Sequence, residues 1–355
     1  MTMKASGAFA PRGPDLNDGQ VPAISASSIV ALDRPLLHGP ERNPGMPLDT
    51  GWLEAMRQVN RSALERRIAT LTKRRSIKQE NQAAWLLRAL ACMDLTTLSS
   101  NDTPERVRRL CAKARNPLRR DIRDALKLGD TAIRPAAVCI YHPFVKAAVE
   151  KLEGTGIHVA AVSTAFPHGL APLHTRIQEI AESVADGADE IDVVIPRGLV
   201  LGGRWHELYD EIVAFRAACG EAHLKVILGT GDLSTLRNVT LASLVAMMAG
   251  ADFVKTSTGK ESVNATLPVG LAMVRSIRAY FERTGYMIGF KPAGGISTAK
   301  QSLDWLVLMR EELGRSWLEP QLFRFGASSL LTDIERQLEH HVTGRYSANY
   351  RHALA

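Results

Sequence analysis

Two lysines stand near the ends of consecutive β-forming runs: Lys255 in Phe253-Val-Lys-Thr-Ser-Thr-Gly-Lys260, and Lys291 in Ile288-Gly-Phe-Lys-Pro-Ala-Gly-Gly295. Apolar β-formers around an amine strip its hydration, and a second cation nearby makes protonation costlier, so such a pair yields one neutral, nucleophilic amine. That amine can attack an aldehyde and form an imine. Lowering a lysine from a reference pKa of ~10.4 to ~7 takes about 4 to 5 kcal/mol of destabilisation of the charged form. Desolvation together with a like charge can supply it. Lys255 is assigned as the nucleophile, with Lys291 as the neighbouring cation and proton carrier.

Strand alternation recruits more charge to the same place. In Glu190-Ile-Asp-Val-Val-Ile195 the residues Ile191, Val193 and Ile195 share one face and Asp192 lies on the other. The same rule sets Lys225 opposite Leu224 and Val226, Lys255 opposite Val254, and Lys291 opposite Phe290. Charged groups are almost never buried for packing alone. One carboxylate facing three amines therefore reads as a site, with Asp192 either a proton shuttle or a counter-ion to Lys225 or Lys291.

Two glycine-containing turns follow, Ala293-Gly294-Gly295 and Gly326-Ala-Ser-Ser329, where bare backbone N–H groups and hydroxyls could hold a phosphate. Asp94 and Thr96 end an earlier run, and Cys139 lies in the next between Val138 and Ile140, ranked below the lysines. His142, His168 and His174 lack ligand spacing, so no metal is expected.

The elements that must position these groups alternate along the chain. Strands are expected at residues 91–96, 136–141, 158–165, 190–195, 224–228, 253–257, 287–291 and 322–326. Amphipathic helices are expected at 103–115, 143–152, 175–186, 205–219, 236–248, 268–283 and 299–313, with one more after the last strand. Eight βα repeats over roughly 250 residues fit a closed (β/α)8 TIM barrel in the α/β class. No G-x-G-x-x-G opens the first repeat and no Walker A sequence occurs, which weakens nucleotide binding. Residues 1–50 are rich in Pro and Gly without apolar period and read as a flexible tail. Residues 51–90 read as a helical lead-in, 91–345 as the catalytic barrel and 346–355 as a C-terminal tail.

The 355 residues, 45% hydrophobic and 23% charged, suffice for a full core. The net charge of +7 is dispersed without interleaved aromatics, so no nucleic-acid partner is expected, while a phosphorylated small substrate suits the field. No apolar run of about 18 residues occurs, and the N-terminus lacks an apolar h-region. No membrane contact is expected. The four cysteines, Cys92, Cys111, Cys139 and Cys219, have no CxxC spacing, which fits a reducing cytoplasm.

Taken in order, the blocks Met93-Asp-Leu-Thr-Thr-Leu98, Ala137-Val-Cys-Ile140, Ala165-Phe-Pro-His-Gly169, Glu190-Ile-Asp-Val-Val194, Leu224-Lys-Val-Ile227, Val254-Lys-Thr-Ser-Thr-Gly-Lys260, Gly289-Phe-Lys-Pro-Ala-Gly-Gly295 and Phe325-Gly-Ala-Ser-Ser329 resemble the deoxyribose-phosphate aldolases, a class I aldolase family. The resemblance implies reversible cleavage of 2-deoxy-D-ribose 5-phosphate to acetaldehyde and D-glyceraldehyde 3-phosphate, in deoxyribose phosphate catabolism, without cofactor or metal. It implies that Lys255 forms the Schiff base, Lys291 depresses its pKa and Asp192 moves protons. Asp94, Thr96, Cys139 and Lys260 would approach the sugar and Gly294, Gly295, Ser328 and Ser329 the phosphate, with Lys225, Thr258 and Gly326 completing the substrate-binding set. A homo-oligomer is also implied. Three positions depart from the family pattern: Ser297 where arginine is frequent, Gly229 where an acidic residue is frequent, and the chain end, where the family often has a final tyrosine that reaches the active site, a part open here to Tyr346 or to Tyr350, which five residues follow. The alternatives are a Schiff-base aldolase for another sugar phosphate and a non-catalytic barrel binding a phosphorylated metabolite.

Overall fold

A computed structural model describes residues 41–74, 77 and 79–352. Most of the expected tail, residues 1–40, lies outside the described residues, as do 353–355. Eight parallel strands run in the order β1 (Met93–Thr96), β2 (Ala137–Tyr141), β3 (His158–Ser163), β4 (Glu190–Val194), β5 (His223–Ile227), β6 (Phe253–Lys255), β7 (Gly289–Lys291) and β8 (Phe325–Ala327). Each pairs with its sequence neighbour, and β1 also pairs with β8. The remaining seam between β7 and β8 is bridged: Phe290 N donates to Leu322 O at 2.9 Å, Arg324 N to Phe290 O at 3.0 Å and Gly326 N to Pro292 O at 3.0 Å. The expected TIM barrel is the fold.

Among the described residues three helices precede the barrel: α1 (Thr50–Ala55), α2 (Arg61–Arg74) and α3 (Gln79–Ala91). The others lie between or after the strands: α4 (Pro104–Arg115), α5 (Arg120–Ala125), α6 (Val145–Leu152), α7 (Leu173–Ala185), α8 (Arg197–Leu201), α9 (Trp205–Cys219), α10 (Leu236–Met248), α11 (Leu267–Thr284), α12 (Ala299–Leu313) and α13 (Ser329–Thr343). Local chemistry sets several ends. Thr298 and Gln301 form a capping box at the start of α12, satisfying N–H groups that have no partner within the helix. Gly285 closes α11 at φ +78°, a left-handed conformation that favours glycine.

The leading helices pack on the barrel's outer layer, where Arg67 reaches Glu312 at 2.8 Å and Arg88 reaches Glu319 at 2.8 Å. Composition assigns residues 41–49 to the tail, yet they run against α10. Asn43 Nδ2 donates to Met247 O at 2.7 Å and Ala251 O at 2.9 Å, and Met46 N donates to Met248 O at 2.7 Å. These contacts explain why α10 is apolar on nearly every side: residues 239–248 are all buried, with barrel, flanking helices and this segment around them. Among the described residues no helix is long and apolar enough to cross a membrane.

Outward strand residues such as Ile191, Val193, Leu224, Val226, Val254 and Phe290 join the main core between sheet and helices. Inside the barrel the filling is divided. A small apolar cluster of Leu98, Ala137, Cys139, Ala160 and Val162 occupies the β1–β3 side, and charged side chains fill much of the rest. The buried Phe253 ring shares that space, with Lys225 Nζ 6.0 Å and Arg324 Cζ 5.7 Å from its centroid. Gly289 leaves room for that ring: a Cβ there would meet Phe253 carbons at 2.3 to 2.5 Å. Gly289→Ala is therefore expected to cost about 1–3 kcal/mol by overpacking, read as a lower urea midpoint.

Candidate active site

The strand register brings the sequence-selected charges together. Asp192 is paired with Lys225, Ile227 with Lys255, and Lys255 with Lys291, so adjacent strands project onto one level of the interior. Asp192 is the hub. Its Oδ2 accepts from Lys255 Nζ at 2.7 Å and from Lys291 Nζ at 2.7 Å, while Oδ1 accepts from Lys225 Nζ at 3.0 Å. Cys139 Sγ stands 4.0 Å from Oδ2. All of these side chains are buried.

Beneath this level lies a second one. Arg324 donates through Nη1 to Asp94 Oδ1 at 2.6 Å and Glu190 Oε2 at 3.0 Å, and through Nη2 to Glu190 Oε1 at 2.7 Å. Lys225 also bonds to Glu190 and lies 3.4 Å from Asp94, and Lys291 is ion-paired with Asp94. His158 Nδ1 sits 2.8 Å from Glu190 Oε1, with His223 Nδ1 at 4.0 Å, at the N-terminal end of the barrel. Glu190 is already engaged by Arg324 and Lys225, two cations that would oppose a metal ion among His158, Glu190 and His223.

The electrostatics separates the three amines. Burial works against the charge on Lys291 and Lys225, but Asp192 with Asp94, and Asp192 with Glu190 and Asp94, outweigh it and hold both above the ordinary lysine value. For Lys255 burial prevails: Asp192 favours its charge, Lys291 opposes it, and its pKa is lowered. Burial pushes the Asp192 carboxyl up, yet Lys225, Lys255 and Lys291 bring it well below the carboxylate range. Asp192 is thus an ionised acceptor beside one amine that readily loses its proton.

Lys255 is also the amine that meets the outside. It lies at the floor of a cleft of about 480 Å³ at the C-terminal end of the barrel. Thr96, Thr258, Lys260, Gly294, Gly295, Gly326, Ser328 and Ser329 line this cleft, as expected from sequence. Gly294 and Gly295 have φ +81° and +79°, so bare backbone faces the space after β7. Ser328 caps α13 without a side-chain bond to it, Leu331 N donates to Ser328 O at 3.2 Å, and the start of the helix borders the cleft at Ser328 and Ser329. Among the described residues the lining carries three basic side chains, Arg106, Lys255 and Lys260, and no carboxylate.

A family model described as DeoC/LacD family aldolase matches residues 88–332. The mouse protein named deoxyribose-phosphate aldolase is 59% identical over 306 residues, covering 86% of this chain and 96% of its own length. The human protein of the same name is 58% identical over 308 residues, with the same coverages. This chain belongs to the DeoC/LacD aldolase family. A structure from Toxoplasma gondii, 25% identical, covers 73% of this aldolase-family chain and 98% of its own with a TM-score of 0.61. A tetrameric deoxyribose phosphate aldolase from Aeropyrum pernix shares the fold at 22% identity, covering 79% of this chain and 99% of its own, TM-score 0.54.

Some of the sequence expectations fall elsewhere. Lys225, expected among the substrate-binding residues, is fully buried and bound to Glu190 and Asp192, and it does not line the cleft. Asp94 likewise lies below, holding Lys291 and Arg324, because its place one pleat deeper than Thr96 puts it under the floor. Cys139 is buried beside Asp192 behind the lining. Tyr346 and Tyr350 are both exposed, and Tyr346 stacks on His340, so neither enters the cleft.

Other residues of the site go unnoticed in the sequence. Glu190 shares parity with Asp192, and Arg324 with Gly326, so alternation could have found both. Arg106 sits on a helix face like any solvated arginine. Arg197 gives no local signal at all. It donates to Pro167 O at 3.0 Å and His168 O at 3.2 Å, pairs with Asp232 at 3.2 Å and with Glu261 at 2.8 Å. Glu261 in turn accepts from Thr258 N and Oγ1 and from Gly259 N, fixing the loop after β6. The departure at Gly229 has its reason here: φ is +66°, and a Cβ would fall 2.2 Å from Arg197 Nε.

All four cysteines are free and buried. Burial pushes the Cys92 and Cys219 thiols up to about 12, Cys111 to about 11, and Cys139 upward as well. Titration with Ellman's reagent at pH 8 should find the native thiols slow and all four fast in guanidinium; a rapidly reacting native thiol would contradict this burial.

Proposed function

We propose that this chain is a class I aldolase reversibly cleaving 2-deoxy-D-ribose 5-phosphate into acetaldehyde and D-glyceraldehyde 3-phosphate. It uses no metal or cofactor and works as a homo-oligomer in a reducing cytoplasm. The observation that carries this reading is Lys255: of the three interior lysines it alone borders the cleft, and its proton is the least firmly held. The name borne by the mouse and human relatives supports the substrate, and a cleft lined by Arg106 and Lys260 beside the reactive amine, without a carboxylate among the described residues, suits a phosphate ester.

In the cleavage direction the neutral Lys255 amine attacks the open-chain aldehyde carbon C1, and the carbinolamine loses water to give an iminium ion. A base takes the C3 hydroxyl proton, the C2–C3 bond breaks, and its electron pair flows into the iminium to form an enamine. D-Glyceraldehyde 3-phosphate leaves. Protonation of the enamine carbon and hydrolysis then return acetaldehyde and the free amine, the water lost earlier being restored. Asp192 serves these proton transfers as acceptor and relay, and it holds Lys291 as counter-ion. Lys291 stays protonated, both repelling charge from Lys255 and offering a proton. Gly294, Gly295, Ser328 and Ser329 hold the phosphate, with Arg106 and Lys260 supplying positive charge where Ser297 supplies none. Thr96, Thr258 and Gly326 border the sugar.

Incubation with acetaldehyde and borohydride should fix a two-carbon adduct on Lys255, located by peptide mass spectrometry. Labelling elsewhere, or none, would sink the assignment. Products analysed across a small aldehyde panel would tell this sugar phosphate from another. Lys255 is active when neutral, above its pKa, so activity falls as pH drops through that value. Removing the like charge with Lys291→Leu should raise the pKa and move the acid limb of kcat/KM upward by about one pH unit or more, about tenfold at neutral pH. An unchanged profile would contradict the like-charge argument.

A further inference from the structure

Counting the fully buried charges inside the barrel gives three carboxylates, Asp94, Glu190 and Asp192, against four cations, Lys225, Lys255, Lys291 and Arg324. The set is neutral only when one cation has lost its proton, and an arginine does not lose one. We propose that Arg324 is the positioning residue that fixes this count: by occupying Glu190 through both arms of its fork and one oxygen of Asp94, it leaves the three lysines too little negative charge to remain protonated together. This rests on Lys255 being the imine-forming amine and deepens that reading.

The geometry explains why the deficit falls on Lys255. Lys225 contacts all three carboxylates, and Lys291 contacts Asp94 and Asp192. Lys255 contacts only Asp192, on the oxygen it shares with Lys291. The amine with the fewest carboxylate partners is the one at the cleft floor. The direction of the pKa shifts agrees, since burial is outweighed by carboxylates at Lys225 and Lys291 and is not at Lys255.

Among the described residues the other charged or titratable groups facing this network add no fully buried charge. Cys139, above Asp192, is held as a neutral thiol by burial. Arg324 Nε donates to the Pro320 carbonyl, and its guanidinium faces the Phe253 ring. Arg88 and Glu319, near Cys92 on the far side, form their own pair. His158 and His223 approach Glu190 from the partly exposed N-terminal end, and the bond to Glu190 raises the pKa of His158 despite its burial.

The test uses full-length enzyme and the pH dependence of acetaldehyde trapping at Lys255 by cyanoborohydride, each variant compared with the parent protein so that the reagent's own pH dependence cancels. Arg324→Met leaves three cations for three carboxylates and should move the trapping midpoint up by about one pH unit or more, about tenfold less adduct at pH 7. Glu190→Gln removes a carboxylate and should move it down. The double variant removes one charge of each sign and should return it near the parent value, and Arg324→Lys should keep it there. His158→Asn, which alters the other group facing Glu190, should leave it in place. Opposite shifts that cancel are not what a loss of packing would give.

Shifts of the same sign in Arg324→Met and Glu190→Gln, or none in either, would overturn the proposal. Should Arg324→Met fail to fold, Glu190→Gln decides: a downward shift supports the proposal and a fixed or raised midpoint overturns it. Failure of the parent enzyme to trap acetaldehyde at Lys255 would instead overturn the functional reading beneath it. Trapping there with an unmoved midpoint removes only the role of Arg324.

Discussion

The interior of this barrel is held by one carboxylate that three amines share. Asp192 costs several kcal/mol to bury as an anion, and only cations at hydrogen-bond distance offset that cost. The cations are equally dependent on it. Lys225 and Lys291 are fully buried and Lys255 nearly so, and the positions of β4 to β7 relative to one another are fixed by polar bonds where another barrel would use branched aliphatic side chains. The apolar filling beside them includes a cluster on the side of β1 to β3 and the Phe253 ring of β6. Stability and reactivity therefore draw on the same atoms, and a side chain cannot be altered there for one without disturbing the other.

This arrangement was legible in part from period two. Alternation alone turns Asp192, Lys225, Lys255 and Lys291 inward, and the eight repeats require closure into a barrel. Depth was not legible. Whether an inward residue reaches the cleft or stops a layer below is decided by the stagger between strands, which no single strand records. That is why Asp94 and Lys225 belong to the layer beneath the floor although their side chains point the same way as Thr96 and Lys255. Three strands are shorter than their apolar runs: β6 stops at Lys255, β7 starts only at Gly289, and β8 starts only at Phe325, with Phe323 before it pairing as an isolated bridge.

Contacts between distant loops were the least accessible. Arg197 reaches partners 29 to 64 residues away, and its sequence surroundings, Ile195-Pro-Arg-Gly198, resemble an ordinary turn. The same holds for Asn43, whose amide satisfies carbonyls more than 200 residues away, so a Pro-rich composition gave no hint that residues 41–49 were docked. Composition reports what a segment can do by itself. It is silent about a surface elsewhere that offers unmet carbonyls.

The bonds of Arg197 divide the mouth of the barrel into unlike halves. The loops after β3, β4, β5 and β6 are stitched to a single guanidinium, and Gly229 is bare so that it can lie there. The cleft opens against the other half, among the loops after β7, β8 and β1, with the first part of the β6 loop, Thr258 to Lys260, reaching into it. One side of the rim is an anvil and the other a gateway: the way to Lys255 runs across the glycine turns, opposite loops tied together by one arginine.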